Sequence, residues 1–327
     1  MVDGKYGPDV SLNEFIRNVA DYRGTKAMCH EGGCGACVVA VRAPLPPNNE
    51  VKLFSVNSCL VSVLSCHGWE VTTVEGVGNK TMGYHDIQAR LAKFNGTQCG
   101  YCTPGWIMNM YSLYESKKKN LSMKEIENSF ASNICRCTGY RSIADAFKSF
   151  ATDIDDRLKN KLIDLEDLDF VKPCGVNCKT KCQHKCDKKD SKPDENKETD
   201  DWFVVDETNK IVVDCGSTKF YKVFDLNDIF QAMEHGEYRL IAGNTGQGVF
   251  HVSNYPSTVI DIFNVAVLKE YSMDVNLILG AGMPLTEMME LFLKISGENE
   301  EFSYLKQFYD HMDLVAHIPV RNRIGDE

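Results

Sequence analysis

Cysteine clustering constrains this 327-residue chain more than any other feature of its sequence. Twelve of the 14 cysteines lie in three groups, while Cys66 and Cys215 stand alone. We interpret these two as buried free thiols, since an unpaired cysteine packs like a small apolar residue. The groups need another explanation, because clustered cysteines in a reducing compartment usually hold a metal rather than form disulfides.

The rest of the sequence indicates which cellular compartment and which binding partners to expect. The first ten residues are polar and contain no apolar signal segment, and the longest apolar runs are too short to span a bilayer. We therefore expect a cytoplasmic protein with no membrane partner. The net charge of −10 leaves no basic stripe to neutralise phosphates, which argues against a nucleic-acid partner.

The first cysteine group has the spacing Cys-x4-Cys-x2-Cys, with a fourth cysteine well downstream. Its members are Cys29, Cys34, Cys37 and Cys59. This spacing is the plant-type ferredoxin pattern for a [2Fe–2S] cluster. Gly32, Gly33 and Gly35 let the loop wrap tightly, because glycine tolerates positive φ and lets N–H groups approach the sulfurs. A zinc site is disfavoured, since structural zinc sites usually pair two Cys-x2-Cys knuckles.

The second cysteine group combines a Cys-x2-Cys pair with a Cys-x-Cys pair, both beside helical segments. Its members are Cys99, Cys102, Cys135 and Cys137. Spacing alone leaves three readings open here, namely a zinc site, a second [2Fe–2S] cluster, or free thiols.

Helix and strand signals place these groups in two different surroundings. Residues 11–20 predict a helix that opens with a capping box at Ser11, with apolar residues on one face up to Val19. Valine-rich stretches at 37–43 and 69–77 predict strands. Beyond residue 80 the pattern is helical, with Thr103 as a predicted N-cap and Pro104 at the first helical position. We interpret the Met and aromatic positions of these helices as core.

A third cysteine group lies in a charged segment with little apolar content, which we interpret as a disordered linker over 159–200. Its members are Cys174, Cys178, Cys182 and Cys186. The regular spacing and nearby His184 permit zinc or copper binding, but exposed thiols in a linker are the simpler interpretation. From Trp202 onward, alternating strand and helix patterns predict an α/β domain.

The order of these segments resembles a known family. A ferredoxin-like segment followed by "QCGYCTPG…ICRCTGYR" is similar to the iron–sulfur half of the molybdenum hydroxylases, the xanthine dehydrogenase and aldehyde oxidase family. The resemblance is strong from Ser11 to about Phe150. Further on, "LIAGNTGQGVF" resembles the FAD-binding loop of the family, and "HMDLVAHIPVRN" resembles the approach to the next loop. We favour the aldehyde oxidase branch.

The resemblance implies an α+β multidomain fold. The expected units are a β-grasp [2Fe–2S] ferredoxin domain (1–77), an all-α helical-bundle [2Fe–2S] domain (78–158), the linker (159–200) and an incomplete α/β FAD-binding domain of the PCMH type (201–327). The two cysteine groups become ligands of two [2Fe–2S] clusters. Gln98 occupies the position that contacts the pterin cofactor in the family, although capping of local backbone is an equally simple role for it.

The flavin loop also has a physical rationale of its own. Its predicted FAD-contacting residues are Leu240, Ile241, Ala242, Gly243, Asn244, Thr245, Gly246, Gln247 and Gly248. The three glycines let backbone N–H groups approach a pyrophosphate, while Asn244 and Thr245 add side-chain donors.

The family consists of oxidoreductases that oxidise aldehydes or N-heterocycles at molybdenum, with electrons passing through two [2Fe–2S] clusters to FAD. The sequence ends before a second FAD loop and a molybdopterin domain, so we expect weakened FAD binding and no substrate turnover by this chain alone. The alternative is a non-catalytic isoform that competes for partners, as a homodimer or as a heterodimer with a full-length relative. The short start predicts an incomplete edge of the first sheet.

Overall fold

Three consecutive parts of the chain form separate apolar cores in the computed structural model, which describes residues 4–81, 83–130, 133–161, 209–252, 254–316 and 320–321. We call them the N-terminal part (4–77), the helical part (78–161) and the C-terminal part (209–321). The third cysteine group and His184 lie outside the described residues. Among the helices of the described ranges, none has the length and apolar content to cross a bilayer.

The N-terminal part begins with a short helix, α1 (Leu12–Glu14), which widens into a π-helical turn over Phe15–Val19. The Ser11 hydroxyl accepts the Glu14 N–H at 3.1 Å, which is one of the two hydrogen bonds of the predicted capping box. Leu12 and Ile16 are buried, but Val19 is 49% exposed. The prediction for Val19 was wrong because the wider turn carries it out of the apolar row of a regular α-helix.

An antiparallel sheet with the strand order β2-β1-β3 packs against this helix. Its strands are β1 (Val38–Leu45), β2 (Glu50–Asn57) and β3 (Glu70–Thr72). The central strand β1 is buried on both faces: Val39 and Val41 pack towards α1, while Val38 and Ala40 pack against Met108 of the helical part. Because side chains alternate along a strand, β1 joins two cores.

The strand predicted over 69–77 is shorter than expected. β3 ends at Thr72, and α2 (Val74–Val77) follows it directly. Val74 and Val77 pack against the core of the helical part, so burial against helices outweighs the β-propensity of valine here.

The described residues of the helical part form five further helices, and their apolar core contains Trp106, Met110 and Phe147, all 2% exposed or less. They are α3 (Asp86–Lys93), α4 (Thr103–Ser116), α5 (Met123–Ser129), α6 (Arg141–Lys148) and α7 (Asp156–Lys161). The predicted core role of the Met and aromatic positions is confirmed for Trp106, Met108 and Met110.

The start of α4 is one residue earlier than predicted. Its N-cap is Cys102, whose backbone is already helical (φ −80°, ψ −15°), so Thr103 takes the first helical position and Pro104 the second. Proline is still tolerated there because the first-turn N–H groups have no acceptor within the helix.

The C-terminal part is a four-stranded sheet with helices and a separate hairpin. Its elements are β4 (Ile211–Asp214), β5 (Lys219–Lys222), α8 (Leu226–Met233), β6 (Tyr238–Ile241), β7 (Thr258–Asp261), β8 (Tyr271–Met273), β9 (Leu277–Leu279), α9 (Leu285–Glu298) and α10 (Leu305–Val315). The sheet order is β4-β5-β7-β6, in which β5, β7 and β6 are parallel and β4 is antiparallel.

The four-stranded sheet is covered on both faces. One face packs on α8 through Ile229 and Ala232. The other face, through Phe220, Ile241 and Val259, forms a single apolar cluster with residues of the N-terminal part. This second contact places the carboxyl end of β6 beside the loops that carry the first cysteine group.

Candidate metal and cofactor sites

The hairpin of β1 and β2 brings together two cysteines of the first group. Cys37 directly precedes β1 and Cys59 lies just beyond β2, and the register pairs Val38 with Asn57. The Ser58 hydroxyl donates to the Cys37 carbonyl at 2.6 Å, which closes this end of the hairpin. A pairing of distant residues thus arises from the local antiparallel register.

The loop before β1 carries the other two cysteines of the first group. The Glu31 N–H donates to Cys29 Sγ at 3.3 Å, and the Ala36 N–H donates to Cys34 Sγ at 3.5 Å. Backbone donors of this kind stabilise a thiolate and tune the redox potential of a bound cluster. Cys34 is 2% exposed, so water is largely excluded from its sulfur.

The predicted positive φ holds for two of the three loop glycines, and the backbone of the third, Gly33, hydrogen-bonds the Cys29 thiol. Gly32 (φ 69°) and Gly35 (φ 68°) are left-handed, and Gly33 is not. His30 also has a left-handed backbone (φ 59°), which the sequence did not reveal. Two of the loop's tightest bends therefore require glycine, because a side chain is strained in this conformation.

Within the first group, the thiols interact as two pairs. Burial opposes ionisation of Cys29, but donors from the Glu31 N–H and the Cys34 thiol outweigh it and hold the pKa of Cys29 below its ordinary value. Burial raises the pKa of Cys34. In the second pair, the hydrogen bond that Cys59 donates lowers the pKa of Cys37, and the same bond followed by burial raises the pKa of Cys59.

The second cysteine group is divided between two segments: Cys99 and Cys102 lie just before α4, and Cys135 and Cys137 lie a few residues before α6. Cys102 caps α4, and Cys135 is buried in the helical core, whereas Cys99 and Cys137 are exposed. The connecting turns use left-handed backbone at Gly100 (φ 79°), among other positions. The helical core thus fixes two thiols and presents the other two at the surface.

These four thiols also form two pairs. Burial first, and then the contact with Cys135, raise the pKa of Cys102 to about 12. Burial opposes ionisation of Cys135, but the Thr138 hydroxyl at 3.1 Å and nearby backbone N–H groups lower its pKa overall. A hydrogen bond to Cys99 raises the pKa of Cys137.

Each cysteine group has four thiols, the ligand set that a two-iron cluster needs, but the thiols are not arranged around a metal. Among the described residues, no group of three or more His, Cys, Asp or Glu side chains has the geometry to hold a metal ion. Each group nevertheless offers two pairs of thiols, and four cysteine thiolates are what a [2Fe–2S] cluster requires. The pairwise hydrogen bonds are the contacts that iron would replace, since metal binding releases the thiol protons.

Backbone contacts connect the two cysteine groups directly. The Ile134 N–H donates to the Cys34 carbonyl at 2.9 Å, and Ile134 precedes Cys135. The Asn133 side chain donates to the Gly35 carbonyl at 3.2 Å. One hydrogen bond therefore joins the backbone of a first-group cysteine to the residue that precedes a second-group cysteine.

Gln98 lies beside Cys99 on the exposed side of the second group. Its side chain is exposed and makes no hydrogen bond within the described residues, so a role in capping local backbone has no support. Its contact with a pterin stays a prediction.

The predicted flavin loop follows β6 and has open space beside Gly243. Leu240 and Ile241 end the strand, Gly243 is left-handed (φ 97°), and Thr245–Gly248 form a 3-10 turn. A side chain at Gly243 would meet nothing within 4 Å, which fits the close approach of a phosphate group. The side chain of Gln247 is bonded to the backbone of Val252, at 2.9 and 3.2 Å, and so braces the loop.

Asn244 differs from the prediction. Its side-chain amide donates to the Leu60 carbonyl at 2.9 Å and interacts with the Tyr255 hydroxyl, and the residue is 5% exposed. The amide therefore binds the N-terminal part instead of pointing at a phosphate. The contact spans 184 positions of sequence, and no local signal could have revealed it.

Sequence reasoning also missed a buried charged group at the same interface. Lys222 is 2% exposed; its Nζ donates to the Ser65 carbonyl at 2.6 Å and lies 3.9 Å from Asp261. A lysine within a strand pattern predicts an exposed side chain, because a lysine is rarely buried unless it is paired. Cys66 and Cys215, predicted as buried free thiols, are half-buried, and burial raises the pKa of Cys66 to about 12.

Comparison with known proteins adds two family matches. Residues 73–148 match a [2Fe-2S] binding domain, and residues 216–325 match the FAD binding domain in molybdopterin dehydrogenase. The first match contains the second cysteine group, and the second contains the flavin loop.

Curated relatives match over most of this chain but little of their own length. The abscisic-aldehyde oxidase of Arabidopsis thaliana is 33% identical over 96% of this chain and 23% of that relative. Xanthine dehydrogenase 1 of the same plant is 33% identical over 96% of this chain and 25% of its own length. Xanthine dehydrogenase/oxidase of Mus musculus is 46% identical over 47% of this chain and 11% of its own. The chain thus spans about a quarter of the first two.

Among solved structures, the quinoline 2-oxidoreductase of Pseudomonas putida 86 matches 43% of this chain and 80% of its own, with 28% identity and a TM-score of 0.38.

The matched domains and the cysteine pairs define an iron–sulfur flavoprotein, with a [2Fe–2S]-binding domain and an FAD-binding domain in one chain. The chain belongs to the molybdenum hydroxylase family, whose members include the aldehyde oxidases and xanthine dehydrogenases. It corresponds to the iron–sulfur and FAD portion of such an enzyme.

Proposed function

We propose that this chain carries electrons one at a time between two [2Fe–2S] clusters and a flavin, as the electron-transfer portion of an aldehyde oxidase-type enzyme. The supporting observation is the central position of the first cysteine group. The carbonyl of Cys34 accepts the Ile134 N–H beside the second group, and the carbonyl of Leu60, next to Cys59, accepts the amide of Asn244 in the flavin loop.

When bound, the two clusters and the flavin supply the one-electron carriers. Cys29, Cys34, Cys37 and Cys59 hold the first cluster, and Cys99, Cys102, Cys135 and Cys137 hold the second. The chain's contribution is to fix their order and spacing through backbone hydrogen bonds, and to keep water from the buried sulfurs. This arrangement favours transfer between neighbouring sites, because buried ligands reorganise little when the charge of a cluster changes.

The direction of transfer is part of this proposal. Electrons enter at the second group, where Cys99, Cys137 and Gln98 are exposed, and leave at the flavin loop beside the first group. The oxidation of aldehydes or N-heterocycles is proposed for the whole enzyme, with its substrate-oxidising groups supplied by residues other than those described. A cytoplasmic location, dimer formation and competition with a full-length relative remain predictions.

Spin-quantified EPR of the anaerobically reduced chain, with iron and zinc contents, tests the proposal. We expect two distinct signals that total about two spins per chain, since each [2Fe–2S] cluster takes one electron. A silent spectrum, or a chain loaded with zinc, would show that electron transfer is not its function.

Single cysteine variants separate the two sites. Cys34→Ser should remove the first signal and keep the second, and Cys137→Ser should do the reverse, because each set has its own four thiols. Cys66→Ser, which changes a thiol outside both groups, serves as the matched control and should keep both. Loss of both signals in Cys34→Ser alone would contradict two independent sites.

A further inference from the structure

The flavin loop contacts the N-terminal part at two points, and each point lies close in sequence to a cysteine of the first group. At the first point, Asn244 has a left-handed backbone (φ 59°) and its buried amide donates to the Leu60 carbonyl at 2.9 Å. Leu60 follows Cys59, so this bond holds the backbone that carries one predicted ligand. A left-handed Asn costs backbone energy and persists only where the surroundings enforce it.

The second point is a contact without side chains. A Cβ atom at Gly248 would collide with the carbonyl oxygen of Glu31 and lie 3.0 Å from its carbon. The N–H of the same Glu31 donates to Cys29 Sγ at 3.3 Å. The loop therefore touches the peptide that supplies a hydrogen bond to another predicted ligand.

We propose that Asn244 and Gly248 are positioning residues that couple flavin binding to the first cluster. The coupling rests on the proposed function, since it needs both sites to bind their cofactors. The two contacts flank the turn that follows Gly243, where an added Cβ atom would meet nothing within 4 Å. A ligand that orders this segment also fixes both contacts, because closely packed backbone transmits small displacements.

Thermodynamic linkage makes the coupling reciprocal. If a bound first cluster fixes Leu60 and Glu31 in place, the flavin loop is preorganised and FAD binds more tightly. By the same factor, bound FAD favours the cluster-loaded state of the first group. The second group has no such contact with the flavin loop among the described residues, so its occupancy should not affect FAD binding.

The first measurement compares FAD affinity in three forms of the full chain, with flavin fluorescence as the readout. Relative to wild type with both clusters, Cys34→Ser should bind FAD at least about fivefold more weakly, the lower end of usual coupling between sites. Cys137→Ser, which lacks only the second cluster, should bind FAD as wild type does. Equal affinities in all three forms would overturn the coupling while leaving the proposed function intact.

The second measurement removes the Asn244 contact and keeps the backbone. Asn244→Gly retains the left-handed conformation but loses the amide. We expect FAD to shift the midpoint potential and EPR line shape of the first cluster in wild type and to shift neither in Asn244→Gly. Asn49→Gly, at another left-handed asparagine (φ 52°) in the turn between β1 and β2, is the matched control and should behave as wild type.

Gly248→Ala tests the other contact, because its methyl group must displace the Glu31 peptide. The first EPR signal should change even without FAD, while Gly297→Ala, whose methyl group meets nothing within 4 Å, should leave it unchanged. An FAD-induced shift of the same size in wild type, Asn244→Gly and Gly248→Ala overturns the inference. A chain that shows both EPR signals but binds no FAD overturns the flavin step of the proposed function as well.

Discussion

Lys269 is a buried lysine whose charge the fold tolerates poorly. Its Nζ lies 3.6 Å from the centre of the Phe263 ring, and the residue is 9% exposed. Burial, opposed by the carboxylates of Glu287 and Asp261 and reinforced by the positive charge of Lys222, lowers the pKa of Lys269 from 10.5 to about 8. Folding therefore favours the neutral amine.

We expect the free energy of unfolding to rise between about pH 8 and pH 10.5. The folded chain releases the Lys269 proton near pH 8, whereas the unfolded chain keeps it until about pH 10.5. The unfolded state binds more protons between these values, so the free energy of unfolding should increase by up to roughly 3 kcal/mol. Urea unfolding from pH 7.5 to 10.5 measures the rise, and Lys269→Met should flatten it. Lys294→Met, at an exposed lysine of α9, should retain it; a profile identical in both variants would contradict the assignment.

Residue patterns indicated which side chains are candidate cluster ligands, but not what surrounds them. The spacing of Cys29, Cys34 and Cys37 indicated a ferredoxin-type loop, because ligand spacing reflects how a short chain wraps a cluster. Asn244 and Lys222 could not be found in this way. Their partners, Leu60 and Ser65, are more than 150 positions away, and only the packing of one sheet against another part of the chain brings them together.

Helix α4 contacts the first cysteine loop through a position without a side chain. A Cβ atom at Gly105 would collide with the Gly35 carbonyl oxygen and lie 3.0 Å from the Cα of Ala36. The predicted helix over this segment is present. Its contact with the loop could not be predicted, because a glycine in the first turn normally indicates only a weak helix former and not a close contact.

This contact reverses the usual effect of alanine in a helix. Gly105→Ala should lower the free energy of unfolding by about 1–3 kcal/mol, because the methyl group overpacks the interface. Gly297→Ala in α9 has open space around the methyl group and should instead raise it by up to about 1 kcal/mol. Denaturant unfolding of the two variants gives the signs; a stabilising Gly105→Ala would show that α4 does not rest on the loop.

At the scale of the whole molecule, an apolar cluster and a buried cation are among the described contacts that join the N-terminal and C-terminal parts. Lys222 donates to the Ser65 carbonyl across the interface and faces Asp261, which is fully buried. Apolar contacts have little directional preference, whereas the hydrogen bonds of Lys222 and Asn244 help to fix the relative placement of the two parts. The family resemblance predicted both parts but not how they are joined.

Lys222→Met should destabilise the chain by roughly 3–5 kcal/mol, since it removes the ion-pair partner of the buried Asp261 carboxylate. We expect the C-terminal part to unfold at lower urea than the N-terminal part, which separates one transition into two. Adding Asp261→Asn should recover much of the loss. Lys210→Met, which breaks a partly exposed pair with Asp228, should lower the free energy of unfolding by at most about 1 kcal/mol. A similar loss for both lysine variants would show that Lys222 does not stabilise the interface.

The unequal exposure of the two cysteine groups has a practical consequence for handling the protein in air. Cys34 and Cys37 are buried, while Cys99 and Cys137 face solvent. Oxidants reach accessible sulfur first and carry it towards sulfenic and sulfinic acids. We therefore expect a preparation that ages in air to lose iron from the second cysteine group before the first, so that half-loaded samples are molecules with the same site empty rather than random mixtures.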